Sequence, residues 1–328
     1  MSLHSSPPVT GDPAHRLPVP LDRYWVEGQD GVQLHVRTAG PEDGPLVVLL
    51  HGFPEFWYGW RHQIAPLARA GYRVVIPDQR GYHRSDAPRA VAAYDLDVLA
   101  DDVCALIDAA GRPRAAVVGH DWGAMVGWHL AHACPERLRR LTILNGPHPR
   151  VLRDTLRSSP TQLLRSTYAL FFQLPALPEW LFGRNDGQLL AALLCGSGHP
   201  DTFDETDLTI YRRAWRRTGR LRGMLHWYRA AARRVLRSTP PSVPVEVPTL
   251  IIWGAQDIAL SRQMAAPSAA MCLDGRLELL GDATHWVQHD APTTVNRLLR
   301  GHLSGRGAAE SRGRERRVGD TGDNRDPE

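Results

Sequence analysis

The stretch Gly119-His120-Asp121-Trp122-Gly123 decides the fold of this 328-residue chain. It follows Ala115-Ala116-Val117-Val118, a short apolar run of the kind a fully buried strand requires. It precedes residues 124–133, which read as a helix. Strand, tight turn and helix in that order make a nucleophile elbow, which lifts its central side chain to the apex of the turn. Gly119 and Gly123 lack a Cβ, so the backbone can turn sharply and the helix can approach the strand. The apex residue is Asp121, where most such turns carry serine. A carboxylate with an ordinary pKa of ~3.9 is already charged at neutral pH and needs no base to become a nucleophile. It suits attack on saturated carbon. An epoxide or a carbon–halogen bond would give an ester on Asp121, and water must then cleave that ester at the Asp121 carbonyl, a step that needs a base and an oxyanion hole.

Those partners follow along the chain. Thr249-Leu250-Ile251-Ile252-Trp253-Gly254 reads as a strand ending in a turn, with Asp257 just beyond it. Residues 276–280 form a further strand, and His285 falls in the loop before the last helix. A loop beyond a strand end is where a general base can reach the elbow, with Asp257 fixing its tautomer and stabilising the imidazolium. Asp282 and Asp290 are rival acids, but they lie too near His285 in sequence to present a carboxylate from a separate strand end. His51-Gly52-Phe53-Pro54-Glu55 follows the apolar strand at residues 46–50 and can supply an oxyanion donor. The Phe53 and Trp122 backbone N–H groups are assigned to that hole. His51 and Glu55 read as structural residues of the loop.

The chain order of nucleophile, acid and histidine is that of an α/β-hydrolase. The sequence resembles the soluble-type epoxide hydrolases of that superfamily, over residues 24–303. The resemblance rests on HGFPEFWYGWR at 51–61, Gly71-Tyr72-Arg73-Val74, Gly81-Tyr82 with Ser85-Asp86-Ala87-Pro88, GHDWGA at 119–124 and Pro135-Glu136-Arg137. Further on, Phe172-Gln173 with Pro175, His226-Trp227-Tyr228-Arg229, and His285-Trp286 with Pro292 and Val295-Asn296 fit the same family. The resemblance implies two tyrosines, Tyr168 and Tyr228, that bind the epoxide oxygen and protonate it as the ring opens. A phenol of ordinary pKa ~10 can protonate an alkoxide yet stay protonated beforehand. One departure is His83, where the family usually has a small residue. It is expected to alter access or packing and to leave the reaction type unchanged.

The alternation of strands and helices predicts an α/β fold with a mostly parallel central sheet and helices on both faces. In residues 95–110, Leu96, Leu99, Val103, Leu106 and Ile107 fall on one face of an amphipathic helix. The expected division is a core at 21–146 and 242–303, an inserted helical lid at 147–241, and disordered termini at 1–20 and 304–328. No segment approaches a membrane span, and residues 1–20 lack the apolar block of a signal peptide, so a cytoplasmic protein is expected. The four cysteines show no CxxC spacing, and the 15 histidines form no spaced zinc cluster, so neither a metal nor a cofactor is expected. All 39 basic residues are arginine, ten of them between residues 208 and 245 without one acid. That run reads as a solvated lid face, partly paired with carboxylates, and not as a nucleic-acid site. The implied partners are a small-molecule epoxide and water. The rival readings are a haloalkane or haloacid dehalogenase with the same aspartate, and a non-catalytic binding protein on this fold.

Overall fold

A computed structural model describes residues 12–305. Eight strands form one sheet: β1 (Asp22–Glu27), β2 (Gln33–Ala39), β3 (Leu46–Leu50), β4 (Arg73–Pro77), β5 (Ala115–His120), β6 (Leu138–Leu144), β7 (Thr249–Gly254) and β8 (Gly275–Leu280). Their order is β1-β2-β4-β3-β5-β6-β7-β8. The β1–β2 and β2–β4 ladders are antiparallel and the remaining five are parallel. Every residue of β3, β4, β5 and β7 is buried, which is why these segments read as continuous apolar runs and not as alternation. Each fully buried Val or Leu there contributes about 1.5–3 kcal/mol relative to an exposed one.

Helices α1 (Arg61–Arg69), α2 (Leu96–Ala109) and α3 (Trp122–Ala133) make the crossovers of the first half. Asp95 caps α2, its side chain accepting the Asp97 N–H, and the apolar stripe of α2 turns Leu99, Val103, Leu106 and Ile107 into the core. Between β6 and β7 the chain is helical: α4 (Pro149–Ser158), α5 (Pro160–Arg165), α6 (Tyr168–Phe171), α7 (Leu177–Gly183), α8 (Gln188–Gly196), α9 (Glu205–Trp215) and α10 (Arg220–Arg237). After β7 come α11 (Ala265–Ala269), α12 (Val287–Asp290) and α13 (Pro292–Leu303). α2 packs on α3, and α1 packs on α13.

The arginine-rich run is partly neutralised from elsewhere in the chain. Arg229 meets Glu179 at 2.6 Å, Arg216 meets Asp186 at 2.7 Å, and Arg234 pairs with Asp95 and Asp97. Residues 12–20 belong to the stretch expected to lack structure, yet Pro13–Arg16 forms a 3-10 turn capped by Asp12. Asp12 also pairs with the buried Arg37, a tertiary contact that local composition does not reveal. The rest of both expected disordered termini, 1–11 and 306–328, lies outside the described residues. Among the described residues, no helix is long and apolar enough to cross a membrane.

Candidate active site

The parallel strands end on one edge of the sheet, and their C-terminal loops bring together residues that are far apart in sequence. Asp121 follows β5 with φ 49° and ψ −114°, a left-handed backbone that a non-glycine residue adopts only when its surroundings hold it there. The surroundings here are tight. A Cβ on Gly123 would lie 2.1 Å from the Leu50 carbonyl oxygen, and one on Gly119 would lie 2.3 Å from the Gly123 carbonyl oxygen. Only glycine lets β3, β5 and α3 approach this closely.

The loop after β3 donates the Phe53 N–H to Asp121 Oδ2 at 2.9 Å, and the Trp122 N–H also bonds the Asp121 carboxylate. Burial pushes the Asp121 pKa up, while His285 and these two N–H groups pull it down, leaving it above the ordinary value. His285, in the loop after β8, places Nε2 3.9 Å from Asp121 Oδ1, too far for a direct hydrogen bond and within reach through one water. Its Nδ1 lies 2.8 Å from Oδ2 of Asp257, in the loop after β7. Burial lowers the His285 pKa, but Asp257 by charge and hydrogen bond, then Asp121 and Glu55 by charge, more than offset it, to about 9. The Ala259 and Leu260 N–H groups each donate to Asp257 Oδ1 at 2.8 Å. Burial raises the Asp257 pKa, and His285 together with the Leu260 and Asn145 hydrogen bonds holds it below the usual carboxylate range. The rival acids are engaged or placed elsewhere: Asp290 Oδ2 accepts from the Thr284 N–H at 2.7 Å, and Asp282 is exposed.

The two tyrosines meet above the elbow, their ring centroids 6.0 Å apart. Tyr228, on α10, is buried against Trp122 (4.9 Å), Phe172 (4.8 Å) and Phe53 (5.4 Å), and its hydroxyl is hydrogen-bonded by the Trp122 side chain. Tyr168, on α6, leaves 39% of its surface open, yet its hydroxyl bonds Tyr228 and feels the Asp121 charge, so its polar end faces inward. Burial first, then neighbouring groups that include Asp121, push both phenols above the ordinary value near 10.

Several residues of the site were not anticipated from sequence. Asn145, just past β6 with φ 42°, donates from Nδ2 to Asp257 Oδ2 at 2.7 Å and accepts the Gly254 N–H at 3.0 Å. Asparagine at a strand's C-terminal end is the signal that could have found it, since it tolerates the left-handed region. His120 Nε2 donates to the His285 carbonyl at 2.9 Å, and its Nδ1 meets Gln288 at 3.2 Å. Burial lowers its pKa to about 3, so it stays neutral beside His285.

His51 and Glu55 hold the loop, as expected. His51 Nδ1 bonds the Gly52 carbonyl at 3.0 Å, and its Nε2 accepts the Gln79 N–H at 3.0 Å. Glu55 Oε1 takes the Tyr211 hydroxyl at 2.5 Å and His289 Nε2 at 2.8 Å, and Oε2 takes Gln288 Nε2 at 3.1 Å. The Trp215 indole N–H donates to the Pro54 carbonyl at 2.6 Å, so α9 is bound to the same loop. His83 has φ 38°, packs on Phe56 at 4.3 Å, and bonds Asp78 from Nδ1 at 2.8 Å.

The alpha/beta hydrolase fold model matches residues 45–292, most of the chain. The chain belongs to the α/β-hydrolase fold family. Within this family it is similar to AB hydrolase superfamily protein YfhM of Bacillus subtilis (strain 168), 45% identical over 274 residues that cover 84% of this chain and 95% of the relative. It is also similar to Epoxide hydrolase 4 of Mus musculus, 37% identical over 276 residues, 82% of this chain and 76% of the relative. Among solved structures it resembles the α/β-hydrolase Epoxide Hydrolase A from Mycobacterium thermoresistibile, with a TM-score of 0.77 and 33% identity over 87% of this chain and 99% of that one.

Proposed function

We propose that the protein is an epoxide hydrolase that converts an epoxide and water to a vicinal diol through an ester on Asp121. The observation that carries this reading is the meeting of Tyr168 and Tyr228 above a carboxylate elbow whose base, His285, stands one water away. Likeness to proteins named epoxide hydrolases supports it. Residues 147–241 act as a lid over the sheet edge, at 21–146 and 242–303 of the core.

The two phenols hold the epoxide oxygen. Asp121 Oδ1 attacks a ring carbon, the carbon–oxygen bond of the ring breaks, and one tyrosine gives its proton to the departing oxygen. Oδ2, held by the Phe53 and Trp122 N–H groups, becomes the carbonyl oxygen of the ester. Esterification removes the Asp121 charge, one of the influences that raise the His285 pKa, so forming the intermediate shifts His285 toward the neutral base it must be. His285 then takes a proton from water, and the hydroxide adds to the ester carbon. The two backbone donors carry the oxyanion, collapse releases the diol as the imidazolium returns the proton, and the proton left on the Asp121 carboxyl passes to the phenolate, which restores both groups.

The test is a single turnover in heavy-oxygen water. The label must appear in the Asp121 carboxylate while the first diol carries the oxygen that Asp121 held before. Labelled diol with an unlabelled Asp121 rules out the ester. The dehalogenase reading lacks support from the site: the side chain after Gly52 is Phe53, which offers no polar donor, and the Trp122 side chain is engaged by Tyr228. Halide release from chloroalkanes with no diol from epoxides would reverse this choice. Affinity for epoxides without turnover would favour a binding protein.

A further inference from the structure

The Asp121 pocket makes no use of a second convergence of side chains on the other side of the oxyanion loop. His35 on β2, Asp78 just past β4, and His83 in the following turn each offer a donor atom within 4.8 Å of the other two. Asp78 Oδ2 takes His35 Nδ1 at 2.7 Å and His83 Nδ1 at 2.8 Å. The His35 and Asp78 side chains are fully buried, while 12% of the His83 side chain reaches solvent.

Three features distinguish this set from an ordinary structural knot. Both imidazoles aim the same ring nitrogen at a single oxygen, so two nitrogens and one oxygen converge on one point. His35 Nε2 is buried without a hydrogen-bond partner among the described residues, which leaves Nδ1 as the working end of that ring. His83 also keeps a left-handed φ of 38°, a conformation that a non-glycine residue holds only under constraint, and in that strained position its ring faces Asp78.

We propose that His35 Nδ1, Asp78 Oδ2 and His83 Nδ1 bind a divalent transition ion of the zinc type, with water in the fourth position on the His83 side. Two imidazoles and a carboxylate suit zinc and its neighbours, whereas calcium and magnesium favour oxygen shells. Tetrahedral coordination at about 2.0–2.1 Å spaces adjacent donors by roughly 3.4 Å, so each present contact opens by about 0.6 Å as the ion enters. The ion replaces the two N–H···O hydrogen bonds. Each ring then binds through Nδ1 and carries its proton on Nε2, which for His35 lies in the buried space beside Trp25, whose ring is 5.4 Å away between centroids. Asp78 Oδ1 keeps the Trp57 N–H at 3.2 Å, which orients the carboxylate, and Oδ2, which also accepts the Arg84 N–H at 3.3 Å, turns its remaining lone pair to the ion. Asp78 and His83 take up the movement, since His35 is fixed in the middle of a paired strand. Arg84 acts electrostatically on His83, and that neighbouring charge weakens the site relative to a dedicated zinc finger. The spacing of histidines along the sequence conceals the set, because its members come from a strand, a strand end and a turn.

The experiment titrates Co2+ into the full chain after chelator treatment, reading the visible absorption of tetrahedral cobalt, with Zn2+ as competitor and thermal melting in parallel. The expected result is saturable binding of one ion per chain in the micromolar range, displacement by Zn2+, and a higher Tm with Zn2+. His83→Gly relieves the left-handed strain and removes a ligand, so it should fold and lose at least about 100-fold in affinity. Should that variant melt abnormally, His83→Asn serves in its place, since asparagine tolerates the same backbone region. The proposal falls if the wild type shows no one-to-one binding, or if either folded variant binds with affinity within a few-fold of wild type.

Discussion

Replacing His285 with glutamine separates the two halves of the proposed reaction. His285 Nε2 stands 3.9 Å from Asp121 Oδ1, a placement suited to a water above the ester and not to direct proton exchange with the nucleophile. Glutamine keeps a polar group there but cannot accept a proton. A positioned general base accounts for about 10²–10⁴ in rate, or ~2.7–5.4 kcal/mol at 1.36 kcal/mol per decade. Ester hydrolysis should slow by that factor. Ester formation draws on the charge Asp121 already carries and loses only the electrostatic support of the imidazolium, so it should slow by no more than about tenfold. The ester therefore accumulates. Rapid mixing of His285→Gln with an aryl epoxide, followed by intact mass measurement, should show one added epoxide mass per chain, mapped to the peptide bearing Asp121. Diol production near the wild-type rate, epoxide consumption without an adduct, or an adduct on another residue would refute the assignment of His285 as base for an Asp121 ester.

Tyr168→Phe and Tyr228→Phe should each lower kcat on epoxides by about 10–100-fold, and the double variant should lose more than either, because the departing oxygen then has no proton donor. An unchanged double variant in steady-state assays removes both from the reaction. His285, raised from 6.5 to about 9, binds its proton more tightly when folded, a contribution of about 3 kcal/mol. That contribution is fully present below pH 6.5 and is lost as pH rises through 9. Urea midpoints should therefore fall between pH 6.5 and 9.5 in the wild type and change less in His285→Gln. Gly123→Ala puts a methyl 2.1 Å from the Leu50 backbone oxygen, so it should cost about 3 kcal/mol or more, read as a lowered Tm or as failure to fold.

The central strands were legible because they are buried on both faces and read as unbroken apolar runs, β3 to the residue. β1 was not. Asp22–Glu27 is an edge strand with one buried residue, Val26, so its sequence carries neither an apolar run nor a clear alternation. β2 begins only at Gln33, because Gln29–Gly31 forms a 3-10 turn with Asp30 at φ 59°. Asp121, His285 and Asp257 could be named because each closes a strand or follows a recognisable turn. Tyr168 and Tyr228 could not be found by periodicity, since each resembles any helical aromatic until α6 and α10 are brought together. Asn145 and His120 act through other side chains, and nothing in their neighbours along the sequence announces that. His83 was read as a local departure, whereas its partners lie 5 and 48 positions away.

The contacts of Glu55 have a consequence for ligand traffic. α9 is tied to the oxyanion loop through Tyr211 and Trp215, and α10 to the core through the Trp227 indole on the Arg80 carbonyl at 2.9 Å. Tyr228 thus rides on the rigid frame. Tyr168 rides on a four-residue helix that carries Leu170 and is flanked by Leu163, Leu164 and Leu174, all open to solvent. Breathing that admits a guest is therefore cheapest on that flank, where few buried contacts must be broken. Engineers who want the enzyme to accept bulkier guests should diversify residues 163–167 and 169–174, keep Tyr168, and leave 205–237 untouched, since the first stretch can flex without loosening the loop that donates the Phe53 N–H to Asp121.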